Sequence, residues 1–356
     1  MTLNYAYALP QDVRYAGFAC TGKLSDIPTN FKYTSQLINS TKDENRSSIF
    51  DKEISKFFTD KKSSITNFNL LLAGETSDTK ISMALALSRE NVSVVNIDNV
   101  YKIVINLGCN VVFLNLDNMK VVASYPLYLE YIHVMQNYPK DEDIVALLRK
   151  LYFSDDFSIL TLLKERIGDL RLKNDAHLTL KVMNVNVDDE AKGKLEFYKN
   201  NLDAFKSISA QKLSDFLSSK LKVSVLPYAK DYLGAKMALS FSDGRMVEFV
   251  IPPASYGVDF TLRKFTKDIY KEGIGEDAYL FGAYTTLKVY DPELNTQYFE
   301  KKVKYGAVKN IPKLQKTTDD FSIYDEMIGL VMLEGIKDMQ ADKTFYKEVI
   351  ERCLNN

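Results

Sequence analysis

Residues Val100–Tyr125 read VYKIVINLGCNVVFLNLDNMKVVASY, and most of what the sequence says about the fold starts here. Apolar residues alternate along the stretch and a polar break begins at Asp117, which predicts two short strands, a turn and a further strand. Residues Ala278–Tyr305, AYLFGAYTTLKVYDPELNTQYFEKKVKY, show the same order around Asp291. A proline-containing loop and a helical segment follow each stretch. Both stretches therefore predict a strand meander that packs with helices.

The likeness of the two stretches leaves two interpretations open, a duplicated module or two unrelated hairpins of a common type. The register bears on this choice, because aligning Asp117 with Asp291 pairs Asn115 with Val289. We expect that pairing to exchange the inward face of one strand, since a slip of one residue moves every side chain to the other side of a sheet. An insertion or deletion at the turn would restore the register.

We predict an α+β fold of two or more modules, each an antiparallel meander covered by helices on one face. A chain of 356 residues exceeds what one hydrophobic core usually serves. The pattern divides it into an N-terminal α+β module (1–155), a helical connector with one strand (156–222) and a C-terminal α+β module (223–356).

The segment Ala73–Lys80, AGETSDTK, lies where a phosphate-binding loop would be expected, between a predicted strand and a predicted helix. It lacks the second glycine and the Lys-Ser/Thr ending of such a loop, so we interpret it as an ordinary turn. Thr76 and Ser77 have side chains suited to an N-cap, and we expect a helix from there to about Glu90.

Composition and charge argue against several classes of protein. The chain has 46 basic and 47 acidic residues and a net charge of −1, without the basic excess of a nucleic-acid-binding protein. No apolar run reaches the roughly 18 residues of a membrane-spanning helix.

Carboxylate clusters at 141–143, 188–190 and 319–320 coincide with predicted helix starts, where the helix dipole favours negative charge.

Histidine and cysteine residues show no metal-binding or catalytic spacing. Cys20, Cys109 and Cys353 lie far apart, and we interpret them as buried free thiols, with one disulfide as the alternative. The two histidines, His133 and His177, cannot complete a three-ligand metal site, and we interpret His133 as a partly buried structural residue. We therefore assign no catalytic, cofactor-binding or metal-binding residue and expect no cofactor.

The N-terminus is similar to the end of a secretory signal peptide. Ala6 and Ala8 are small residues at positions −3 and −1 before Leu9-Pro10. The charged and apolar regions of a signal peptide are missing from the sequence, so we predict that a longer precursor is cut after Ala8. The expected location is periplasmic or secreted, with the cytoplasm as the alternative.

Aromatic residues are abundant near both meanders, and we interpret most of them as filling the sheets. In the second meander, Leu287 and Val289 are predicted to face a helix layer. Tyr298 and Phe299 are adjacent on a strand, so one ring is expected to be buried and the other partly exposed. The opposite face and an unpaired outer strand are predicted to contact a protein partner. The residues assigned to this contact are Tyr290, Tyr298, Phe299, Lys301 and Lys302.

The hairpins LNLDNMKVVASY and LKVYDPELNTQYF resemble those in the small α/β modules of bacterial envelope assembly proteins, such as the curli secretion pore and T-ring-type flagellar accessory proteins. The shared pattern is a strand, an Asp-led turn and a second strand, and it covers a small part of the chain. The resemblance implies a non-enzymatic, oligomeric role in an envelope or flagellar-type assembly, with other proteins or further copies of the chain as partners. Two alternatives stay open: a hydrolase whose site is assembled from distant residues, and a small-molecule binding protein with a cleft between domains.

Overall fold

The structure is a computed structural model that describes residues 11–44, 47–97, 100–172, 178–195, 198–199, 201–228, 236–314 and 318–355. The predicted cleavage after Ala8 and the residue His177 lie outside these ranges. Within them the fold consists of two β-sheets and their helices. The predicted α+β class is confirmed.

The first part of the chain builds one sheet and its helix layer. Its elements are β1 (Asp12–Thr21), α1 (Ile27–Asn30), α2 (Lys32–Thr41), α3 (Ile49–Lys61), β2 (Asn69–Leu71), β3 (Ile81–Ile97), β4 (Val100–Asn115), β5 (Lys120–Met135), α4 (Asp141–Phe153) and α5 (Ile159–Arg166). Strands β3, β4 and β5 form an antiparallel meander, and β1 pairs with β3 in parallel. Helices α2–α5 pack on one face of this sheet.

The second part of the chain repeats this arrangement. Its elements are β6 (Leu180–Val187), α6 (Asp189–Lys192), α7 (Leu202–Leu221), β7 (Lys236–Phe241), β8 (Met246–Val250), β9 (Tyr256–Glu272), β10 (Glu276–Tyr290), β11 (Gln297–Pro312), α8 (Asp320–Ala341), α9 (Lys343–Phe345), a π-helical turn (Tyr346–Ile350) and α10 (Glu351–Asn355). Strands β9, β10 and β11 form an antiparallel meander, and β6 pairs with β9 in parallel. The two modules therefore share one topology: a strand, helices, a three-stranded meander and a closing helix.

The two stretches that resemble each other occupy equivalent places, the hairpins β4–β5 and β10–β11. The sequence pattern predicts two short strands here, Tyr101–Leu107 and Val111–Leu116, with Cys109 at the break between them. This prediction is wrong, because β4 runs without interruption from Val100 to Asn115. A buried glycine and thiol at positions 108 and 109 sit within the strand rather than in a turn.

The register of the two hairpins is also resolved. Asn115 Oδ1 and Asp291 Oδ1 each accept a hydrogen bond from the backbone N–H two residues further on, at 2.9 and 2.8 Å. Aligning these two residues pairs Phe113 with Val289, and both of these side chains are buried on the helix-covered face. The prediction that the alignment exchanges the inward and outward faces of one strand is therefore wrong. Asn115 is polar because it belongs to the turn, and its polarity does not mark a solvent-facing strand position.

The hairpin β7–β8 belongs to the first sheet. Strand β7 pairs with β1 and β8 pairs with β5, so that β1, β3, β4, β5, β8 and β7 close into a ring. Leu239 and Phe249 pack inside this ring against the small side chains of Ala84 and Ala86. The predicted boundary at residue 222 places the hairpin in the C-terminal module, whereas it hydrogen-bonds into the first sheet. The three-part division otherwise stays a prediction.

The helix predicted from Thr76 to Glu90 is wrong. Residues Ile81–Ile97 form β3, which is buried on both faces as far as Leu87. The Ser77 hydroxyl donates a hydrogen bond to Asp12 Oδ2 at 2.7 Å, which ties the preceding turn to β1 instead of capping a helix. Pairing with β1 and β4 overrides the local signal, as tertiary context often does.

The two modules are stacked with their helix layers on the same side of their sheets. Helices α7 and α8 pack on one face of the second sheet, and α7 also packs against the first sheet, on the face opposite α2–α5. The N-cap of α8, Asp319, reaches the first sheet through an ion pair with Lys102. The order of layers is helices, sheet, helices, sheet. No described helix or strand covers the remaining face of β9–β11, which we call the outer face.

Candidate functional site

The five residues predicted to contact a partner lie on both sides of the second sheet. Tyr290 and Lys302 lie on the outer face, as their pairing with neighbouring strands shows. Phe299 is 6% exposed and its ring lies 5.4 Å from that of Phe345 on the helix side. Lys301 also points to the helix side, where its Nζ forms an ion pair with an α8 carboxylate, Asp338, at 2.7 Å. The structure therefore does not bring the five residues together.

Tyr298 is the extra residue of a β-bulge between the pairs Val289–Phe299 and Tyr290–Gln297. Its partly exposed ring packs edge-on against Tyr256, with centroids 5.5 Å apart, beside the helix-side core. The expectation of one buried and one partly exposed ring is confirmed, but alternation is not the reason. At a bulge two residues face one partner residue, and here both rings turn towards the same core.

The predicted faces of β10 are confirmed. Leu287 and Val289 are at most 1% exposed, and Leu287 lies against Gly335 of α8. Residues paired directly across antiparallel strands share a face, so the register defines rows of side chains on the outer face. Four successive rows are Thr266–Gly282–Gly306, Lys264–Tyr284–Lys304, Thr261–Thr286–Lys302 and Asp259–Lys288–Glu300.

Three basic side chains dominate the middle of the outer face: Lys264, Lys302 and Lys304, which we call the lysine patch. The Lys264 ammonium lies 5.0 Å from the centroid of the Tyr284 ring. Among the described residues, no carboxylate forms an ion pair with any of the three lysines. This part of the sheet therefore presents positive charge next to an aromatic ring, and the carboxylates of the adjoining row, Asp259 and Glu300, form no ion pair with these lysines.

The β11 strand forms one edge of the second sheet. In the described chain it pairs with β10 alone, so the backbone groups on its other side have no strand partner. Such an edge can add a further strand from another chain. The predicted open edge is thus present beside the lysine patch.

A second polar centre, which the sequence analysis missed, lies between the first sheet and helices α7 and α8. We call it the junction cluster: Lys212, Glu130, Asp325 and Tyr128. Lys212 Nζ lies 2.9 Å from Glu130 and 3.0 Å from Asp325, and the Tyr128 hydroxyl donates a hydrogen bond to Glu130 at 2.7 Å. Lys212 is only 6% exposed, so its charge depends on these partners.

Burial raises the pKa of Asp325 to about 6, although Lys212 opposes this shift. Burial also acts to raise the pKa of Glu130, but the charge of Lys212 and the hydrogen bonds with Asp325, Tyr128 and Lys212 together outweigh it, so the pKa lies below its ordinary value. The two carboxylates raise the pKa of Lys212 in spite of its burial. Near neutral pH the cluster thus contains a charged lysine and an ionised Glu130 in a largely water-free setting.

A cavity of about 530 Å³ opens beside the junction cluster. Its lining residues are Tyr128, Glu130, Ile132, Lys212, Phe216, Ser322, Ile323, Asp325, Glu326 and Gly329. The wall combines apolar surface with a few charged groups, which is typical of small-molecule sites. Nothing in the local sequence marks it, because its residues come from β5, α7 and α8 and meet only in the folded chain.

The cysteines and the described histidine take structural positions. All three cysteines are free and buried, which confirms the prediction, and burial raises the pKa of the Cys20 and Cys109 thiols. His133 is partly buried on β5, with its ring 6.1 Å from that of Tyr131. Over the described ranges, no group of three or more His, Cys, Asp or Glu side chains is placed to hold a metal ion.

The described helices include none that has both the length and the apolar character required to cross a membrane. No protein-family model matches the chain, and no curated protein shows significant similarity to it.

Several solved bacterial structures are similar to about half of the chain. A putative neuraminyllactose-binding hemagglutinin homolog from Helicobacter pylori is 13% identical, with a TM-score of 0.31, over 51% of this chain and 97% of that one. A minor lipoprotein from Acinetobacter baumannii is 6% identical, with a TM-score of 0.22, over 48% and 95%. A hypothetical protein from Chlamydia trachomatis is 11% identical, with a TM-score of 0.23, over 51% and 95%. Likenesses at these TM-scores carry no conclusion about function.

Proposed function

We propose that the protein is a non-enzymatic interaction protein that binds a protein partner through the outer face of its second sheet. The observation that carries this proposal is a difference between the two modules. The corresponding face of the first sheet is covered within the chain by α7 and by the hairpin β7–β8, whereas the outer face of β9–β11 has no described cover.

The chemistry of the outer face suits a protein contact. Tyr284 and Tyr290 lie on it, and tyrosine is enriched at protein interfaces. The lysine patch surrounds Tyr284 and favours a partner with an acidic surface, because complementary charges speed and orient association. The free β11 edge allows the contact to extend by strand pairing.

We place this role in a bacterial envelope or flagellar-type assembly, with the protein in the periplasm or secreted. The support is the signal-like sequence before Leu9 and the resemblance of the two Asp-led hairpins to those of envelope assembly modules. N-terminal sequencing of protein from its native host tests the export part of the proposal. A mature chain that begins at Leu9 supports it, and a chain that retains Met1 contradicts it.

A photo-crosslinking residue in place of Thr286, at the centre of the outer face, tests the interaction itself. We expect it to link the protein to a defined partner in native cells, and we expect Lys302→Glu with Lys304→Glu to abolish the link. The control is Lys343→Glu with Lys347→Glu, which reverses the same charges on exposed residues of the C-terminal segment. Equal crosslinking in both charge variants would contradict the proposal.

Replacing Tyr284 by Ala measures how much the central ring contributes. Removal of a central aromatic anchor typically costs about 2 kcal/mol of binding free energy, or roughly 30-fold in affinity. Binding of the partner found by crosslinking should weaken to this degree, with the fold unchanged by circular dichroism.

The cavity at the junction cluster favours a second candidate, a small-molecule binding protein. Its volume of about 530 Å³ falls within the range of small-ligand sites, and it lies at a boundary between the modules. A screen for ligands that raise the melting temperature tests this candidate. A true ligand should lose its effect when Phe216→Trp fills part of the cavity.

A further inference from the structure

The junction cluster contains more negative than positive charge. Lys212 supplies one ammonium, whereas Glu130 and Asp325 supply two carboxylates, and the described residues form no other ion pair with either carboxylate. The third carboxylate of the cavity wall, Glu326, is already paired with Lys309 of β11 at 2.8 Å. The cluster therefore carries one unit of excess negative charge when Glu130 and Asp325 are both ionised. A buried charge without a partner is costly, so this excess favours the uptake of a cation.

Each of the two carboxylates has one oxygen open to a ligand. The closest contacts of Lys212 are to Oε2 of Glu130 and Oδ2 of Asp325, and the Tyr128 hydroxyl also donates to Oε2 of Glu130. No N–H or O–H group of the described chain donates a hydrogen bond to Oε1 of Glu130 or Oδ1 of Asp325. A carboxylate accepts hydrogen bonds at both oxygens, so these two atoms can accept from a donor that enters the cavity.

A proton offsets part of the excess charge when the cavity holds no cation. The side chains of Glu130 and Asp325 hydrogen-bond to each other, which requires a proton on one of them. Burial raises the pKa of Asp325 to about 6, and the nearby Glu130 adds to this effect against the opposing Lys212. Burial also raises the pKa of the Tyr128 and Tyr198 hydroxyls that face the cluster. Asp325 is therefore the member of this group that loses its proton between pH 5 and 7.5.

The rest of the cavity wall is apolar and aromatic. Ile132, Phe216 and Ile323 lie around the charged groups, and the Lys212 ammonium lies 5.4 Å from the centroid of the Tyr128 ring. Aromatic faces attract organic cations. A cavity of about 530 Å³ holds a small organic molecule, whereas a metal ion would leave the apolar wall uncovered. The wall therefore favours a cation that carries an apolar group.

We propose that this cavity binds a small organic amine, a primary ammonium group joined to an apolar body. The proposal rests on the second candidate function and names its class of ligand. The ammonium donates hydrogen bonds to Oε1 of Glu130 and Oδ1 of Asp325, and the apolar body packs against Phe216 and Ile323. A primary ammonium suits this position because it has three N–H donors and a full positive charge. The cavity lies on the helix side of the second sheet, so the ligand does not occupy the outer face.

Calorimetric titration of the full chain tests the class of ligand. The probes are benzylamine, 2-phenylethylamine and hexylamine, and the matched controls are the alcohols with the same apolar groups. At pH 7.5 we expect the amines to bind at least about tenfold more tightly, because hydrogen bonds between charged groups are stronger than those of a neutral hydroxyl.

The pH dependence tests the position of the ammonium. At pH 5 the free protein holds a proton on Asp325, which the amine must displace, so amine binding should be about tenfold weaker than at pH 7.5. The displaced proton passes to the buffer. Titrations in two buffers with different ionisation enthalpies should therefore show release of about one proton per amine at pH 5 and almost none at pH 7.5. Binding of the alcohols should not change with pH.

A matched pair of variants tests the role of Asp325. Asp325→Asn keeps the shape of the side chain and leaves Lys212 and Glu130 as a neutral pair. We expect it to weaken amine binding at pH 7.5 at least about tenfold and to abolish the proton release. Asp338→Asn is the control, since this residue of the same helix pairs with Lys301 outside the cavity. Circular dichroism checks the fold, and the titrations of the natural sequence need no variant.

Two results would overturn the proposal: amines that fail to bind or bind no more tightly than their alcohols, or amine binding that is independent of pH and releases no proton. The ligand screen with Phe216→Trp separates this failure from failure of the second candidate function. A neutral or anionic ligand that loses its effect in Phe216→Trp leaves the cavity as a binding site and removes the amine as its ligand. If no compound raises the melting temperature, both are removed.

Discussion

Single residues decide how the two modules are joined. Lys212 lies on α7, where it is buried together with Ser209, Gln211, Ser214 and Ser218. Its ammonium is held by Glu130 of the first sheet and Asp325 of α8. Arg166 of α5 forms a similar ion pair with Asp215 of α7 at 2.5 Å. Buried ion pairs often add little net stability, but removing one partner leaves an uncompensated charge.

Replacing Lys212 by Met should lower the free energy of unfolding by about 3–5 kcal/mol, because two buried carboxylates lose their cation. Urea denaturation at pH 7 measures the change. Lys337→Met is the control, since it breaks an exposed pair with Glu334 (side chains 70% and 40% exposed) and should cost at most about 0.5 kcal/mol. Similar losses in the two variants would show that the junction cluster does not stabilise the fold.

The pH dependence of stability should report on Asp215. Burial raises its pKa to about 6, above the ordinary value of 3.8, although Arg166 opposes the shift. Between pH 4 and 6 the folded protein therefore keeps a proton that the unfolded chain has released, so the free energy of unfolding falls as the pH rises through this range. The loss is at most about 3 kcal/mol. Asp215→Asn cannot titrate and should flatten this part of the profile.

Urea midpoints from pH 4 to 7 test this expectation for the Asn variant and the natural sequence. Asp325 has a pKa raised in the same direction, so Asp325→Asn should flatten the profile further. A profile unchanged by both substitutions would contradict the assignment.

At the scale of elements, α7 is the helix that contacts both sheets and holds them together. Ser209 has a side chain suited to an N-cap, which predicts a helix over Ala210–Leu221, but α7 begins at Leu202, where the Asn201 side chain accepts a hydrogen bond from Ala204 N at 3.0 Å. Ser209 is 3% exposed in the interior of the helix. The helix packs against both sheets, so it lacks the polar face by which an amphipathic helix is recognised.

Gly108 should be intolerant of any side chain, because α7 lies directly on it. Gly108→Val is expected to cost about 1–3 kcal/mol of stability through overpacking against Gln211. In a Gln211→Ala background the clash is relieved, and the coupling in a double-mutant cycle should be about 1 kcal/mol or more. Gly168→Ala is the control, since no heavy atom lies within 4 Å of its added Cβ. Equal effects at the two glycines would contradict this close contact.

At the scale of the whole molecule, the hairpin β7–β8 ties the late part of the chain to the early part. It completes the ring around Ala84 and Ala86, although it follows them by about 150 residues in sequence. The early and late parts of the chain are thus joined by the ring of strands that contains β7 and β8, as well as by α7. The first sheet therefore includes strands from beyond the predicted boundary at 222.

A fragment of residues 1–222 should therefore lack a cooperative unfolding transition. Without β7 and β8, the apolar face around Ala84, Ala86 and Val112 is left open to water. We expect the fragment to bind a hydrophobic dye. We expect the full chain to unfold without populating an intermediate that binds the dye. Calorimetry and dye fluorescence make the measurement, and a fragment that melts as sharply as the full chain would contradict the closed ring.

The sequence alone determined the α+β class, the buried thiols, the hairpins whose turns contain Asp117 and Asp291, and the buried faces of Leu287 and Val289. These features follow from local alternation and turn residues, which encode the inward face wherever a strand forms. Tertiary structure decided that Ile81–Ile97 is a strand, that β7–β8 joins the first sheet and that Lys212 is buried. Strand pairing and the burial of charge depend on partners far away in sequence: Lys212 and Asp325 are 113 residues apart. A local pattern cannot reveal such partners, because the energy that selects them arises only when the layers pack.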